Sequence, residues 1–152
     1  HALAFLHQLG ETRLQSGEGP VLATERTDGS SAILVWNLIP AAEAAAVANG
    51  NPMAAGGGAS HAAGSSRTLH LKLNGMRGRK QILVSQVNNE SGTAQPAWKA
   101  MGSPRYPTQD QINQLKAAAE LGKPTAHAIA GGSDNFAIEL PANGIALLEL
   151  EK

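Results

Sequence analysis

The chain contains no cysteine, which excludes disulfide staples, thiol nucleophiles and Cys-ligated zinc. Aromatic residues are scarce: two Trp, one Tyr and two Phe make 3% of the sequence, leaving few flat apolar faces on which sugar rings or bases could stack. Charge of either sign has no surplus. Twelve Lys and Arg balance twelve Asp and Glu, so no net field draws the chain to a phosphate backbone or an anionic bilayer, and neither nucleic acid nor a membrane is an expected partner. No apolar run approaches the roughly 18 residues of a spanning helix, and no basic stretch leads into a hydrophobic signal core. The reading is of a soluble chain whose compartment stays open, cytoplasmic, periplasmic or secreted.

What is present suffices for one globular domain. A chain of 152 residues, 42% hydrophobic with mean hydropathy −0.17, can bury roughly 68–70% of its unfolded surface without a staple. It opens at His1 instead of a methionine, which reads as a piece of a longer protein.

Periodicity changes along the chain. Leu3, Phe5, Leu6 and Leu9 recur at helical spacing, with Gly10 as the expected stop. VLATERT and SAILVWNL flank Asp28-Gly29-Ser30 and predict a β-hairpin. RTLHLKLN alternates, with Leu69, Leu71 and Leu73 on one face and Thr68, His70 and Lys72 on the other; QILVSQV, after the basic turn NGMRGRK, reads as its antiparallel partner. NFAIEL and IALLEL, joined by Pro141-Ala142-Asn143-Gly144, predict a further hairpin. Ala41–Ser66 is an Ala/Gly-rich excursion with no sustained apolar period, expected to be the most mobile internal segment. Thr108 and Gln111 form a capping box after Pro107, Ile112, Leu115 and Ala119 share a face, and Gly122-Lys123-Pro124 ends the helix. The fold class expected is mainly β, an antiparallel sandwich with an inserted helix and a short N-terminal helix.

Candidate chemistry is thin. The five histidines, at 1, 7, 61, 70 and 127, show no i, i+4 pair and no carboxylate cluster, so no metal or other cofactor is expected. Gly58-Ala59-Ser60-His61-Ala62 lacks the final glycine of a nucleophile elbow. Gly75-Met76-Arg77-Gly78 matches the GxxG of an RNA-binding loop, but its flanks read as strands and not helices, which makes it a solvated turn. Glu90 lies in a loop, and Glu139, Glu149 and Glu151 lie on outer faces of terminal strands, so no carboxylate pair suited to glycoside hydrolysis is expected.

One stretch is specific: TAQPAWKAMGSPRYPTQDQINQLKAAAEL. It resembles the W-x-x-M-G-S-P-x-x-P-T-x-x-Q-I-x-x-L segment of glycoside hydrolase family 39 β-xylosidases, through Trp98, Met101, Gly102, Ser103, Pro104, Pro107, Thr108, Gln111, Ile112 and Leu115. HQLGE, RTDGSSAILVWNL and ELPANGIALLEL look like the same family's order of elements. The sequence departs from it at Glu90-Ser91-Gly92-Thr93, where members often carry His-Gly-Asn.

The resemblance implies a (β/α)8 catalytic barrel followed by a β-sandwich, with residues 1–16 as the last barrel helix, 17–152 as the accessory sandwich and 93–121 as a helical arm. It implies a retaining enzyme that removes non-reducing-end xylose from xylo-oligosaccharides, the partner of this domain being the barrel of the same parent chain. The family's acid/base glutamate follows a W-N-E-P-type motif; Trp36-Asn37 runs on into Leu38 and Asn89-Glu90 lacks the Trp, so no catalytic residue carries over. The binding or barrel-facing candidates are Trp98, Met101, Arg105 and Tyr106. An independent carbohydrate-binding module and a structural or oligomerisation domain are the alternative functions.

Overall fold

The computed structural model describes residues 1–39, 65–75, 81–129 and 133–151. The Ala/Gly-rich excursion, apart from Ser65 and Ser66, therefore lies outside the described residues, as do Ser60, His61 and the turn residues Met76 to Lys80.

Among the described residues the elements run α1 (Ala2–His7), β1 (Thr12–Arg13), β2 (Val21–Glu25), β3 (Ser31–Asn37), β4 (Arg67–Asn74), β5 (Gln81–Val87), α2 (Gln95–Ala100), α3 (Gln109–Ala118), β6 (Thr125–Ala128), β7 (Ser133–Leu140) and β8 (Gly144–Leu150). They build two antiparallel sheets, one of six strands in the order β1-β2-β3-β8-β5-β6 and one of two strands, β4 and β7. The expected mainly-β sandwich is what the chain forms.

Hydrophobic patterning explains which strand sits where. β3 and β8 are apolar at nearly every position, which suits a strand covered on both faces, and they occupy the middle of the large sheet. One face, with Ile33, Val35, Ile82, Val84, Ala146, Leu148 and Leu150, packs on Leu73, Ile138 and Leu140 of the small sheet. The opposite face, with Ala32, Leu34 and Leu147, is covered by Phe5 and Leu9 from the N-terminal segment and by Leu121. β4 and β7 alternate apolar and polar residues, so each has only one face to bury, and both lie in the two-stranded cover.

That rule corrects two pairings expected from sequence. β5 is not the partner of β4: β4 pairs with β7, in register from Arg67 opposite Leu140 to Asn74 opposite Ser133, while β5 pairs with β8 and β6. β7 and β8 likewise form no hairpin, because the alternating strand stays in the cover and the one that is apolar at nearly every position enters the large sheet. The turn chemistry between them is present, with Asn143 in the left-handed region (φ 57°) and the Gly144 N–H donating to Pro141 O at 2.9 Å, but it turns a corner between sheets. Asn37 fastens that corner. Its buried side-chain amide donates toward Leu140 O (3.0 Å), Pro141 O (3.2 Å) and Ser65 O (3.1 Å), and its own carbonyl accepts from Asn143 N–H at 2.7 Å.

Gly10 also has a different role from the one expected. The helix ends earlier, at Gln8 in ordinary right-handed geometry. A Cβ at Gly10 would stand 2.1 Å from the backbone oxygen of Glu25, so glycine is needed for a close approach of two backbones, sealed by Gly10 N–H donating to Thr24 Oγ1 at 2.8 Å. Arg26 completes the attachment of α1: its guanidinium donates to Gln8 O and to Glu149 Oε1 (2.7 Å).

Candidate functional site

The arm leaves β5 through a turn centred on Asn88, whose Oδ1 accepts from the N–H groups of Glu90 (2.8 Å) and Ser91 (2.9 Å). Here the sequence departs from the family pattern, and the Asn88 side chain supplies the closure. Thr93 Oγ1 accepts from Gln95 N–H at 3.3 Å, and Pro96 at the start of α2 costs no hydrogen bond.

α2 ends in a Schellman motif. Gly102 N–H donates to Lys99 O and Ser103 N–H to Trp98 O, both at 3.0 Å, with Gly102 at φ 82° and Ser103 at φ 54°. The six residues of α2 are too few to hold a helix unaided, so this closure and the half-buried Trp98 side chain set its end. The Trp98 indole N–H then reaches past the motif to Pro104 O at 3.3 Å, and Met101, half-buried, occupies the C-cap between them.

Beyond Pro104 the backbone turns outward. Arg105 and Tyr106 are both exposed, Tyr106 by 81%, and the Arg105 guanidinium lies 5.5 Å from the centre of the Tyr106 ring. Pro107 ends this excursion and Thr108 starts α3 with the capping box in full: Thr108 Oγ1 accepts from Gln111 N–H (3.4 Å) while Gln111 Oε1 accepts from Thr108 N–H (2.9 Å). Asp110 in the first turn and Lys116 in the last complement the helix dipole. His1 donates a ring N–H to Ala119 O at 2.5 Å, tying the far end of α3 to the start of the chain.

The structure thus brings all four candidates into one hook and divides them. Trp98 and Met101 are half-buried, with the Trp98 indole closing the hook onto Pro104 O; Arg105 and Tyr106 are exposed. Sequence reasoning grouped the two aromatics together. The missed signal was Gly102 four residues after Trp98, the spacing that closes a helix end back onto the Trp carbonyl.

The remaining candidates stand apart. His70 is exposed on the outer face of β4, and His127 packs edge-on against Phe136 with ring centres 5.1 Å apart. Glu90, Glu139 and Glu151 are exposed, while Glu149 is held by Arg26. Asp28, in the β2–β3 turn, has its carboxyl pulled below its ordinary value, chiefly by hydrogen bonds from the Ser30 hydroxyl and backbone N–H. No group of three potential metal ligands occurs among the described residues. Two clefts escaped the sequence reading because their walls come from distant strands: one of about 670 Å³ between β4 and the segment from Leu14 to Val21, and one of about 380 Å³ between β5, β6 and β7.

The chain is similar to known proteins over nearly all of its length. Residues 1–134 match the profile of glycosyl hydrolases family 39. A β-xylosidase of Geobacillus stearothermophilus is 27% identical over 152 residues, which is all of this chain and 26% of that protein. The crystal structure of a monomeric β-xylosidase from Caulobacter crescentus superposes with a TM-score of 0.65 at 21% identity, covering 99% of this chain and 29% of that one. The family 39 enzyme from Xanthomonas axonopodis pv. citri does so with a TM-score of 0.67 at 17% identity, again over 99% and 29%. The chain spans between a quarter and a third of the length of these relatives.

Proposed function

The chain belongs to glycosyl hydrolases family 39, and on that premise we propose that it is the accessory C-terminal β-sandwich of a retaining β-xylosidase acting on the non-reducing ends of xylo-oligosaccharides. The boundary expected between residues 16 and 17 moves back: α1 (Ala2–His7) is the last helix of the catalytic (β/α)8 barrel, which carries the two catalytic glutamates, and the sandwich begins with β1 (Thr12–Arg13), which pairs with β2. The observation that carries this reading is coverage: the whole chain aligns with only 26% of a β-xylosidase. Two exposed leucines on α1, Leu3 at 74% and Leu6 at 48%, support it, because a helix of six residues gains little from apolar area left in water and more from a neighbouring helix or barrel wall.

Within that enzyme the arm from Thr93 to Leu121 braces the substrate entrance. Neither α2 nor α3 fully buries a residue within this chain, yet caps, three prolines and the Trp98 hydrogen bond define the arm throughout. Apolar residues that the capped helix leaves half-buried, such as Ile112 and Leu115, offer a face to a packing partner outside this chain.

Trp98→Ala in the parent enzyme tests the brace. The expected outcome is a fall in kcat/KM per active site beyond the unfolded fraction, because small displacements of positioning groups weaken transition-state contacts. A lowered Tm with unchanged kinetics per folded molecule would reduce the arm to a cap on the sandwich.

A further inference from the structure

We infer that Arg105 and Tyr106 form a sugar-binding platform: a pyranose ring of the xylo-oligosaccharide, beyond the residue being cleaved, stacks on the free face of Tyr106 while Arg105 donates hydrogen bonds to its hydroxyls. This rests on the reading that the arm stands at the substrate entrance. An exposed tyrosine alone would need no explanation, since single exposed apolar residues are ordinary. Here the two residues are clamped from both sides. The Schellman closure at Gly102 and Ser103 and the Trp98 bond to Pro104 hold the entry, and Pro107 with the Thr108–Gln111 capping box holds the exit. Such a clamp removes in advance much of the ordering entropy that a flexible loop would lose on binding.

The chemistry fits a neutral polyol. The Arg105 guanidinium at 5.5 Å covers one face of the Tyr106 ring and withdraws into a cation–π contact, leaving the other face for the axial C–H groups of a sugar. Its planar fork retains N–H donors suited to adjacent hydroxyls. Among the described residues Tyr106 is the most exposed large hydrophobic residue, in a chain that has five aromatics in all.

The test measures kcat/KM of the parent enzyme on a chain-length series, from an aryl β-xyloside and xylobiose to xylotriose and xylotetraose, for the unaltered protein, Tyr106→Ala, Tyr106→Trp and Arg105→Ala. Both residues are exposed, so Tm is expected to hold and serves as the control. The platform predicts that Tyr106→Ala loses roughly three- to tenfold on the substrates long enough to reach it and little on the shortest, with Tyr106→Trp retaining the longer-substrate advantage. An equal loss on every substrate would overturn the platform and leave the brace. No loss on any substrate in these variants, together with unchanged kinetics in Trp98→Ala, would overturn both.

Discussion

The six-stranded sheet and the arm are ordered by different physics. In the sheet, β3 and β8 lie under cover on both faces, and Leu147, Leu148 and Val35 have no measurable contact with solvent. In the arm, sixteen helical residues in α2 and α3 include none that is fully buried, and order comes from backbone closures: a Schellman motif, a capping box and proline at fixed positions. Burial accumulates into a cooperative core, whereas caps fix local geometry and leave the outward side chains free for another surface. The sheet is built to persist and the arm to present.

The largest expected effect separates these directly. Leu148→Ala should cost about 2–5 kcal/mol, because it opens a cavity between the sheets. Ile112→Ala in the half-buried face of α3 should cost well under half as much in the isolated chain. Urea denaturation monitored by circular dichroism measures both, and equal costs would erase the distinction.

Asn37→Ala comes next, at about 2 kcal/mol, since it leaves the carbonyls of Leu140 and Pro141 at the sheet corner without their donor. Its cost should appear in global unfolding. Thr108→Ala should cost about 1 kcal/mol, and only locally. Amide exchange in α3 should speed up while β3 and β8 stay protected; acceleration in all three would make the arm part of the core's cooperative unit.

The smallest effect is at Asp28. Its carboxyl is held below the ordinary value of 3.8 by Ser30, so the ionised form favours the fold. That contribution is complete above the ordinary value and fades as pH falls through the lower, folded value. Asp28→Asn should therefore lower stability slightly at neutral pH and converge with the unaltered protein as pH falls below about 4, which flattens the acid limb of a pH–stability curve. A difference between the two proteins that persists undiminished in acid would contradict the assignment.

Local features were legible in the sequence and non-local ones were not. The β2–β3 hairpin, the alternation of β4, the capping box at Thr108 and the family-like segment from Trp98 to Leu115 each depend on residues close in the chain. Strand partners do not. Pairing β4 with β5 followed chain proximity, although the alternation shared by RTLHLKLN and NFAIEL already set those two apart from IALLEL, which is apolar at every position but Glu149. Gly10 misled for the same reason, since the backbone it must approach is fifteen residues away at Glu25. At the candidate site the hook itself could be read from its glycine and prolines, but its division into half-buried Trp98 and exposed Tyr106 depends on which way the chain turns after Ser103.

The measurement that tests the central claim most directly is a crossed comparison in the parent enzyme of Leu148→Ala and Thr108→Ala, with Tm and active-site-corrected kcat/KM determined for each. The account predicts opposite patterns: Leu148→Ala lowers Tm and leaves kinetics per folded molecule unchanged, while Thr108→Ala barely moves Tm and lowers kcat/KM. If both variants lower Tm and neither alters the kinetics of folded molecules, the arm is only another part of the sandwich.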